Sequence, residues 1–231
     1  PSNSSAASDV YKRQVEGIYR IRHPENRGYG QSLIDAFAFA DRHGYDWVIT
    51  LDCDEQHEPG QIPAFVRAAR VGDADIISGS RYLEPVRPDD PLAQPPEDRR
   101  RINARITRLI NEVLGLSITD AFCGFKAYRL AALRRLELTV PGYAMPLQLW
   151  VQAARAGLRI REIPVRLIYY DRDRHFGGLL DDPDVRMQYY LDVFISELAA
   201  VRPAGSPVAR CCRSSVGVMG HARFCDAADT C

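Results

Sequence analysis

Residues 46–59 read DWVITLDCDEQHEP, an apolar run that ends in two carboxylates, Asp52 and Asp54, one residue apart. A short apolar run bounded by polar residues predicts a central strand of a parallel sheet, and ligands gather outside the carboxyl ends of such strands. If the chain stays extended, Asp52, Asp54 and Gln56 share one side. These hard oxygen donors favour Mg²⁺ or Mn²⁺ bridging to nucleotide phosphates. A plain polar loop is the alternative, since Asp-x-Asp alone is a weak motif.

Hydrophobic periodicity predicts strands that alternate with helices, which is the order of an α/β fold. The predicted strands lie near residues 15–22, 46–52, 75–79 and 158–169. The predicted helices lie near residues 31–43, 61–70, 99–114, 145–156 and 186–200. Residues 84–97 contain five prolines and are expected to form a long loop of the kind that often contributes to binding.

Four further segments place glycines and polar residues around the predicted strand ends. Residues 26–32, NRGYGQS, form a glycine-rich turn that opens a helix and whose backbone could approach a ligand. Residues 78–82, SGSRY, end the second long apolar run. Residues 120–129, DAFCGFKAYR, and residues 162–165, EIPV, follow.

In this order, the segments resemble a family 2 glycosyltransferase, most closely its polyprenyl-phosphate (dolichol-phosphate mannose synthase-like) branch. The pattern is N-x-G-x-G, D-x-D-x-Q-H-x-P, G-S-R-Y, D-x-x-x-G-F-x-x-Y and E-x-P before an Arg- and Gly-rich loop, over roughly residues 15–195. The ordered set is more specific than any single motif. The resemblance implies a Rossmann-like glycosyltransferase A (nucleotide-diphospho-sugar transferase) fold, a mostly parallel sheet with helices on both faces.

The resemblance also implies a set of site residues. It assigns the metal to Asp52, Asp54 and Gln56, and the donor to Asn26, Gly28, Asp52, Asp54, Arg81, Arg172 and Arg174. In the family, a mobile loop brings an arginine to the donor pyrophosphate, and Arg174 fits that R-x-x-G spacing best, with Arg172 as second choice. A guanidinium can neutralise the charge that grows as the nucleotide leaves. An ordinary surface loop is the alternative for this segment.

Asp120 decides between mechanisms. In an inverting transfer, a carboxylate normally deprotonates an acceptor hydroxyl. A lipid phosphate is already ionised and needs no base, so Asp120 would then position acceptor or sugar. This agrees with Gln148, which stands where the family usually carries Glu. A turn cap is the other interpretation of Asp120.

We therefore expect metal-dependent, inverting transfer of a hexose from a nucleoside-diphosphate sugar to a polyprenyl phosphate, as in cell wall or glycan biosynthesis. The alternatives are transfer to a soluble or glycan hydroxyl and a non-catalytic truncated remnant. The 30 basic and 30 acidic residues of the 231 cancel, which disfavours nucleic-acid binding. Six scattered cysteines indicate a reducing compartment. Cytoplasmic localisation is expected.

Contact with the cytoplasmic membrane face is a further expectation. No run reaches the ~20 apolar residues that a membrane span needs. The helix predicted from Arg99 places Arg101, Arg105 and Arg108 on its polar side. A solvated face is the usual meaning of such a row, and attraction to anionic headgroups is the functional alternative.

The two ends of the chain are expected to lie outside the folded domain. Residues 1–14 are polar without strand periodicity, and the family's opening strands are not visible. Residues 1–14 are therefore expected to be a non-native or disordered leader. The domain that follows, residues 15–200, is expected to lack its first strands. Residues 201–231 lose periodicity and predict a disordered tail, whose cysteines and histidine match no zinc-ligand spacing.

Overall fold

The computed structural model describes residues 18–84, 90, 95–169, 176 and 178–200. The chain divides into two compact units, and residues 25–208 form the larger one. Residues 18–24, the described part of the smaller unit, contain no helix or strand, so the strand predicted near 15–22 is absent from them. Its apolar side chains bury no face: Ile18, Tyr19 and Ile21 are all close to half exposed. The predicted leader and tail lie outside the described residues.

The larger unit contains strands that alternate with helices, as the periodicity predicted. The strands are β1 (Trp47–Thr50), β2 (Ile76–Ser80), β3 (Lys126–Arg129) and β4 (Ile160–Pro164). The helices are α1 (Tyr29–Arg42), α2 (Ile62–Val71), α3 (Glu97–Leu114), α4 (Leu130–Leu133), α5 (Met145–Arg155) and α6 (Pro183–Ala199). Short 3₁₀ turns occupy Pro59–Gln61 and Gly178–Asp181. All five predicted helices are present, whereas β3 and the short α4 were not predicted.

The strand order in the sheet is β1-β3-β2-β4. β2 and β4 pair in parallel, and β3 is antiparallel to both β1 and β2. Three of the four described strands therefore run in one direction, and β3 is the exception to the mostly parallel arrangement that was expected. β3 was missed because its four residues are bounded by Lys126 and Arg129, which conceal a strand whose centre is buried.

Helices cover both faces of the sheet, as expected for this fold class. One face packs α1 and α5 against the sheet through a cluster that includes Phe37, Ile76, Tyr128 and Leu149. The other face packs α2 through Phe65, Ile77, Phe125 and Ala127. Neighbouring residues 76 and 77 point to opposite faces, as the pleat requires.

A third apolar cluster joins α3, α5 and α6 beside the sheet. It is built around Trp150, which is fully buried and donates its indole N–H to Ala121 O at 2.9 Å. The buried faces of α3 and α6 pack on this core. None of the described helices combines the length and apolar character needed to cross a bilayer.

Candidate active site

A cavity of about 550 Å³ lies at one end of the sheet. Its walls include residues that follow β1, β2 and β4, Gly124, which precedes β3, and side chains of α1, α3, α5 and α6. Because β3 is antiparallel to its neighbours, its amino end lies beside their carboxyl ends at this same end of the sheet. This is where ligands of α/β sheets bind.

The acidic wall of the cavity is formed by Asp52 and Asp54, with Gln56 beside them. The chain here is not extended, because β1 ends at Thr50 and Glu55 adopts a left-handed φ of 63°. The Gln56 N–H donates to Asp54 Oδ1 at 3.1 Å, which closes a tight turn. The expectation that strand alternation aligns the three side chains is therefore wrong. A turn brings them to the same wall instead.

The donor set of this wall fits a hard divalent cation. Two carboxylates and an amide oxygen are the ligand types that Mg²⁺ and Mn²⁺ take. Within the described part of the chain, no group of three or more His, Cys, Asp or Glu side chains is arranged to hold a metal. The wall offers fewer protein ligands than an octahedral ion needs, which is normal for ions that also bind water and phosphate.

His57 is a buried residue of the cavity to which the sequence assigned no role. The Asp52 N–H donates to His57 Nδ1 at 3.2 Å, and the other ring nitrogen, Nε2, lies 3.9 Å from Cys123 Sγ. Burial lowers the pKa of His57 to about 4, although the carboxylate of Asp54 opposes that shift. The ring is therefore neutral near pH 7, and Nδ1 is its acceptor.

Arg81 lines the cavity and forms an ion pair with Asp120, which does not line it. The pair is bidentate, with Arg81 Nε 2.7 Å from Asp120 Oδ2 and Arg81 Nη2 2.9 Å from Oδ1. Asn103 Nδ2 donates to the same Oδ1 at 2.9 Å. Burial works against ionisation of Asp120, but the charge of Arg81 and these hydrogen bonds outweigh it and lower the pKa of Asp120 to about 2.

Asp120 itself is fully buried and is not among the residues that line the cavity. Its segment is fixed by Glu162, which accepts from the Thr119 N–H at 2.8 Å and the Asp120 N–H at 3.2 Å. Glu162 belongs to the E-x-P motif, so that motif orients the loop that carries Asp120. Direct contact between Asp120 and a substrate stays a prediction.

Another part of the cavity wall is cationic and is built around the Phe176 ring. Two guanidinium groups contact the Phe176 ring: the Cζ atom of Arg99 lies 4.5 Å from the ring centroid, and that of Arg186 lies 4.6 Å from it. Tyr143 meets the same ring edge-on at 5.2 Å. Arg186 is buried and forms an ion pair with Asp98. Cation–π contact and burial thus hold two arginines at the cavity surface.

Arg99 and Arg186 were missed in the sequence because arginines of amphipathic helices are normally assigned to the solvent face. A signal existed in the helical spacing. Arg99 is in register with the buried Ile102 and Ile106 of α3. Arg186 is likewise in register with the buried Tyr190 of α6. A cation inside an apolar stripe needs a polar surface to face, such as a cavity.

The glycine-rich turn does not bring its glycines to the cavity. A Cβ added at Gly28 or Gly30 would lie within 3.0 Å of carbonyl oxygens in the backbone of residues 140–141. The Gly28 N–H donates to Asn26 Oδ1 at 2.9 Å. Tyr29, rather than Asn26 or Gly28, lines the cavity. The predicted roles of Asn26 and Gly28 in donor binding stay predictions, and the observed role of the glycines is close packing.

Arg172, Arg174 and Gln148 complete the residues that the sequence singled out. Arg172 and Arg174 are outside the described residues, so their assignment stays a prediction. Gln148 is buried and acts inside the fold: its Oε1 accepts from the Thr139 N–H at 2.7 Å, and its Nε2 donates to Glu197 at 2.8 Å. The segment that packs on the glycine-rich turn is held by this amide.

The chain belongs to glycosyl transferase family 2, whose sequence model matches residues 2–137. The undecaprenyl-phosphate mannosyltransferase of Micrococcus luteus is 28% identical over 192 residues, which are 81% of this chain and 76% of that protein. The polyprenol monophosphomannose synthase of Mycolicibacterium smegmatis is 25% identical over 169 residues, which are 71% of this chain and 62% of that protein. Both names belong to the polyprenyl-phosphate branch, which confirms the resemblance seen in the motifs.

Solved structures agree on the fold. Glucosyl-3-phosphoglycerate synthase from Mycobacterium tuberculosis, in complex with Mn²⁺ and uridine-diphosphate-glucose, gives a TM-score of 0.54 at 17% identity, over 78% of this chain and 56% of that chain. Another crystal structure of the same enzyme gives a TM-score of 0.55 at 16% identity, over 86% of this chain and 67% of that chain. At this identity the likeness confirms the glycosyltransferase A fold class.

Proposed function

We propose that this protein transfers a hexose from a nucleoside-diphosphate sugar to a polyprenyl phosphate, with inversion and with a bound divalent metal. One observation supports this most strongly. A single cavity carries a wall of hard oxygen ligands, at Asp52 and Asp54, and a separate set of arginines, at Arg81, Arg99 and Arg186. A donor diphosphate binds through a metal ion, whereas an acceptor phosphate binds to cationic side chains. Each substrate therefore has complementary charge in the same cavity.

The donor is assigned to the acidic wall. Asp52, Asp54 and Gln56 would hold Mg²⁺ or Mn²⁺, and the ion, when bound, neutralises charge on the departing diphosphate. Mn²⁺ in the complex of the Mycobacterium tuberculosis synthase supports this choice of metal. Arg174, or else Arg172, would add a guanidinium from the loop after β4.

The acceptor is assigned to the arginines. Arg81 is oriented by Asp120 and Asn103 and presents its guanidinium to the cavity. Asp120 has a low pKa, and both of its oxygens accept hydrogen bonds from Arg81, so it is poorly suited to take a proton from an acceptor hydroxyl. A phosphate acceptor requires no such base. The geometry therefore favours transfer to a lipid phosphate over transfer to a hydroxyl.

A peripheral membrane contact is part of the proposal. A polyprenyl phosphate resides in a bilayer, so the cavity must meet the membrane surface. Arg101, Arg105 and Arg108 are exposed along the outer face of α3, and each cation near an anionic surface contributes roughly 1 kcal/mol. We place the protein at the cytoplasmic membrane face on this basis.

Metal-dependent nucleotide binding tests the donor assignment. We expect calorimetry to show that GDP or UDP binds the wild-type chain in the presence of Mn²⁺ and loses that affinity in Asp54→Ala. The loss should exceed the ~100-fold that removal of an outer partner of a metal ligand costs. Asp73→Ala is the matched control, because Asp73 is exposed, pairs with Arg161 at 3.0 Å and is not among the residues that line the cavity. Absence of Mn²⁺-dependent nucleotide binding in the wild type would support the non-catalytic remnant.

Product analysis tests the acceptor. Incubation with a radiolabelled nucleoside-diphosphate hexose and a polyprenyl phosphate in detergent should move label into the organic phase. Arg99→Ala should raise the KM for the lipid more than that for the donor. Label that stays in the water phase on a glycan would favour the hydroxyl acceptor.

A further inference from the structure

Asp52 lies directly against the backbone of Gly124, the residue that precedes Phe125 and β3. A Cβ added at Gly124 would come within 3.0 Å of Asp52 Oδ1, Oδ2 and Cγ, and these are its three nearest atoms. The φ angle of Gly124 is not in the left-handed region. The glycine is thus required by the neighbouring carboxylate and not by backbone conformation.

Gly124 cannot easily retreat from this contact. The Thr50 hydroxyl donates to Gly124 O at 2.6 Å, which joins the end of β1 to the turn before β3. The buried Lys126 ammonium donates to Cys123 O, the preceding carbonyl. Earlier in the same turn, the Ala121 carbonyl accepts from the indole of Trp150. Three side chains from β1, β3 and α5 therefore fix the surface on which Asp52 rests.

His57 also contacts Asp52. Its Nδ1 accepts the Asp52 N–H at 3.2 Å and lies 3.9 Å from Asp52 Oδ2. The imidazole is buried against Phe125, with ring centroids 5.4 Å apart, so it has little freedom to move. The backbone of Asp52 is fixed by the imidazole, and its carboxylate is fixed by Gly124.

We propose that Gly124 and His57 are positioning residues that hold the Asp52 carboxylate in the orientation that binds the divalent cation. The inference rests on the proposed function and deepens it, because it identifies the groups that set metal affinity from outside the ligand set. Part of the entropy cost of orienting the carboxylate is then met before the ion binds, because Gly124 and His57 already contact Asp52. Preorganisation of this kind normally strengthens metal binding by 10–100-fold.

The first test adds a methyl group at Gly124. In Gly124→Ala, the affinity for Mn²⁺ in the presence of saturating GDP or UDP, measured by the electron paramagnetic resonance of free Mn²⁺, should fall about 10–100-fold. Gly60→Ala is the matched control, because a Cβ there meets nothing within 4 Å, and its Mn²⁺ affinity should equal that of the wild type.

Thermal unfolding separates the contact from general damage. Gly124→Ala should lower Tm, and the added Asp52→Ala should restore much of that loss, because the three atoms nearest the new methyl disappear with the carboxylate. An additive or larger loss in the double variant would mean that the methyl meets something other than Asp52. That result would overturn the positioning role.

His57 is tested by substitution and rescue. His57→Leu should weaken Mn²⁺ binding about 10–100-fold, whereas His57→Asn should recover part of it, because the amide oxygen can replace Nδ1 as acceptor. Unchanged Mn²⁺ affinity in both Gly124→Ala and His57→Leu overturns this proposal alone. A wild-type chain that binds no Mn²⁺ with nucleotide overturns the proposed function and this inference with it.

Discussion

Asp52 and Asp120 both lie near strand ends at the same edge of the sheet, but their environments differ. Asp120 is fully buried and makes a bidentate pair with Arg81. Asp52 is about a third exposed (32%) on the cavity wall, where Gly124 and His57 orient it without adding a formal charge. The Asp120 carboxylate is therefore paired with a buried guanidinium, while the Asp52 carboxylate lies at the surface of the cavity.

An acidic residue in a family motif can thus face the cavity itself or support another side chain that does. The oxygens of Asp120 accept hydrogen bonds from Arg81 and Asn103, and Arg81 lines the cavity whereas Asp120 does not. The acidic wall formed by Asp52 and Asp54 presents ligand atoms to the cavity itself. Loss of the negative charge should consequently destabilise the fold at Asp120 and leave its stability nearly unchanged at the acidic wall.

The largest expected effect is on stability. Asp120→Asn leaves the Arg81 guanidinium, which is only 11% exposed, without its counter-charge. We expect a loss of ~3–5 kcal/mol in the free energy of unfolding, measured with urea. Asp54→Asn, on the cavity wall, should change stability by less than ~0.5 kcal/mol. Similar losses at both positions would remove the distinction between the two centres.

The second effect concerns which cations meet the acidic wall. If Arg174 contacts the departing diphosphate, Arg174→Ala should slow single-turnover transfer at saturating donor. The activation free energy should rise by ~2.7–4 kcal/mol, with a smaller change in the free energy of donor binding. Arg172→Ala should slow it less. The reverse ranking would shift the assignment by two residues. Wild-type rates in both variants would leave the wall without a loop arginine.

A third, smaller effect follows from the acidity of Asp120. Its pKa of about 2 in the folded chain lies below its ordinary value of 3.8, so ionisation stabilises the fold above about pH 4. That contribution, roughly 2 kcal/mol, is lost as the pH falls from 3.8 through 2. Denaturation at pH 4.5 and pH 2.5 should show a shallower fall in stability for Asp120→Asn than for the wild type. Equal slopes would contradict the strong pairing.

The smallest effect per residue is expected for exposed cations, which contrast with the buried Arg81. Changing Arg101, Arg105 or Arg108 singly to Gln should weaken sedimentation with anionic vesicles by ~1 kcal/mol each, and should have no effect with neutral vesicles. Arg134→Gln, on an exposed arginine that pairs with Asp41, serves as the control. Equal losses in the control would show that the effect depends on net charge alone.

Much of the fold could be predicted because helical periodicity is a local signal. All five longer helices were found from it, and β1 and β2 were found as apolar runs. β3 could not be found, since its strand character comes from pairing with β1 and β2 on both sides. A four-residue segment with two cations has little local preference that would reveal this.

The candidate site was predictable only where ligand atoms follow a strand in sequence. Asp52, Asp54 and Arg81 were identified in this way, and all three line the cavity. The pairing of Asp120 with Arg81 is a contact between distant segments, so the sequence could not show that this carboxylate is occupied. The cavity position of Arg99 depends equally on tertiary packing.

The antiparallel β3 also has a consequence for how the chain folds. The chain between β1 and β3 contains α2, β2 and α3, and Ile76 of β2 pairs with Ile160 of β4 across a similarly long segment. Loops of this length close slowly, because their entropy is lost before the contacts reward it. The cavity walls come from both ends of these loops, so a partly folded chain has no cavity. A bound nucleotide would then draw the population toward the completed sheet by mass action.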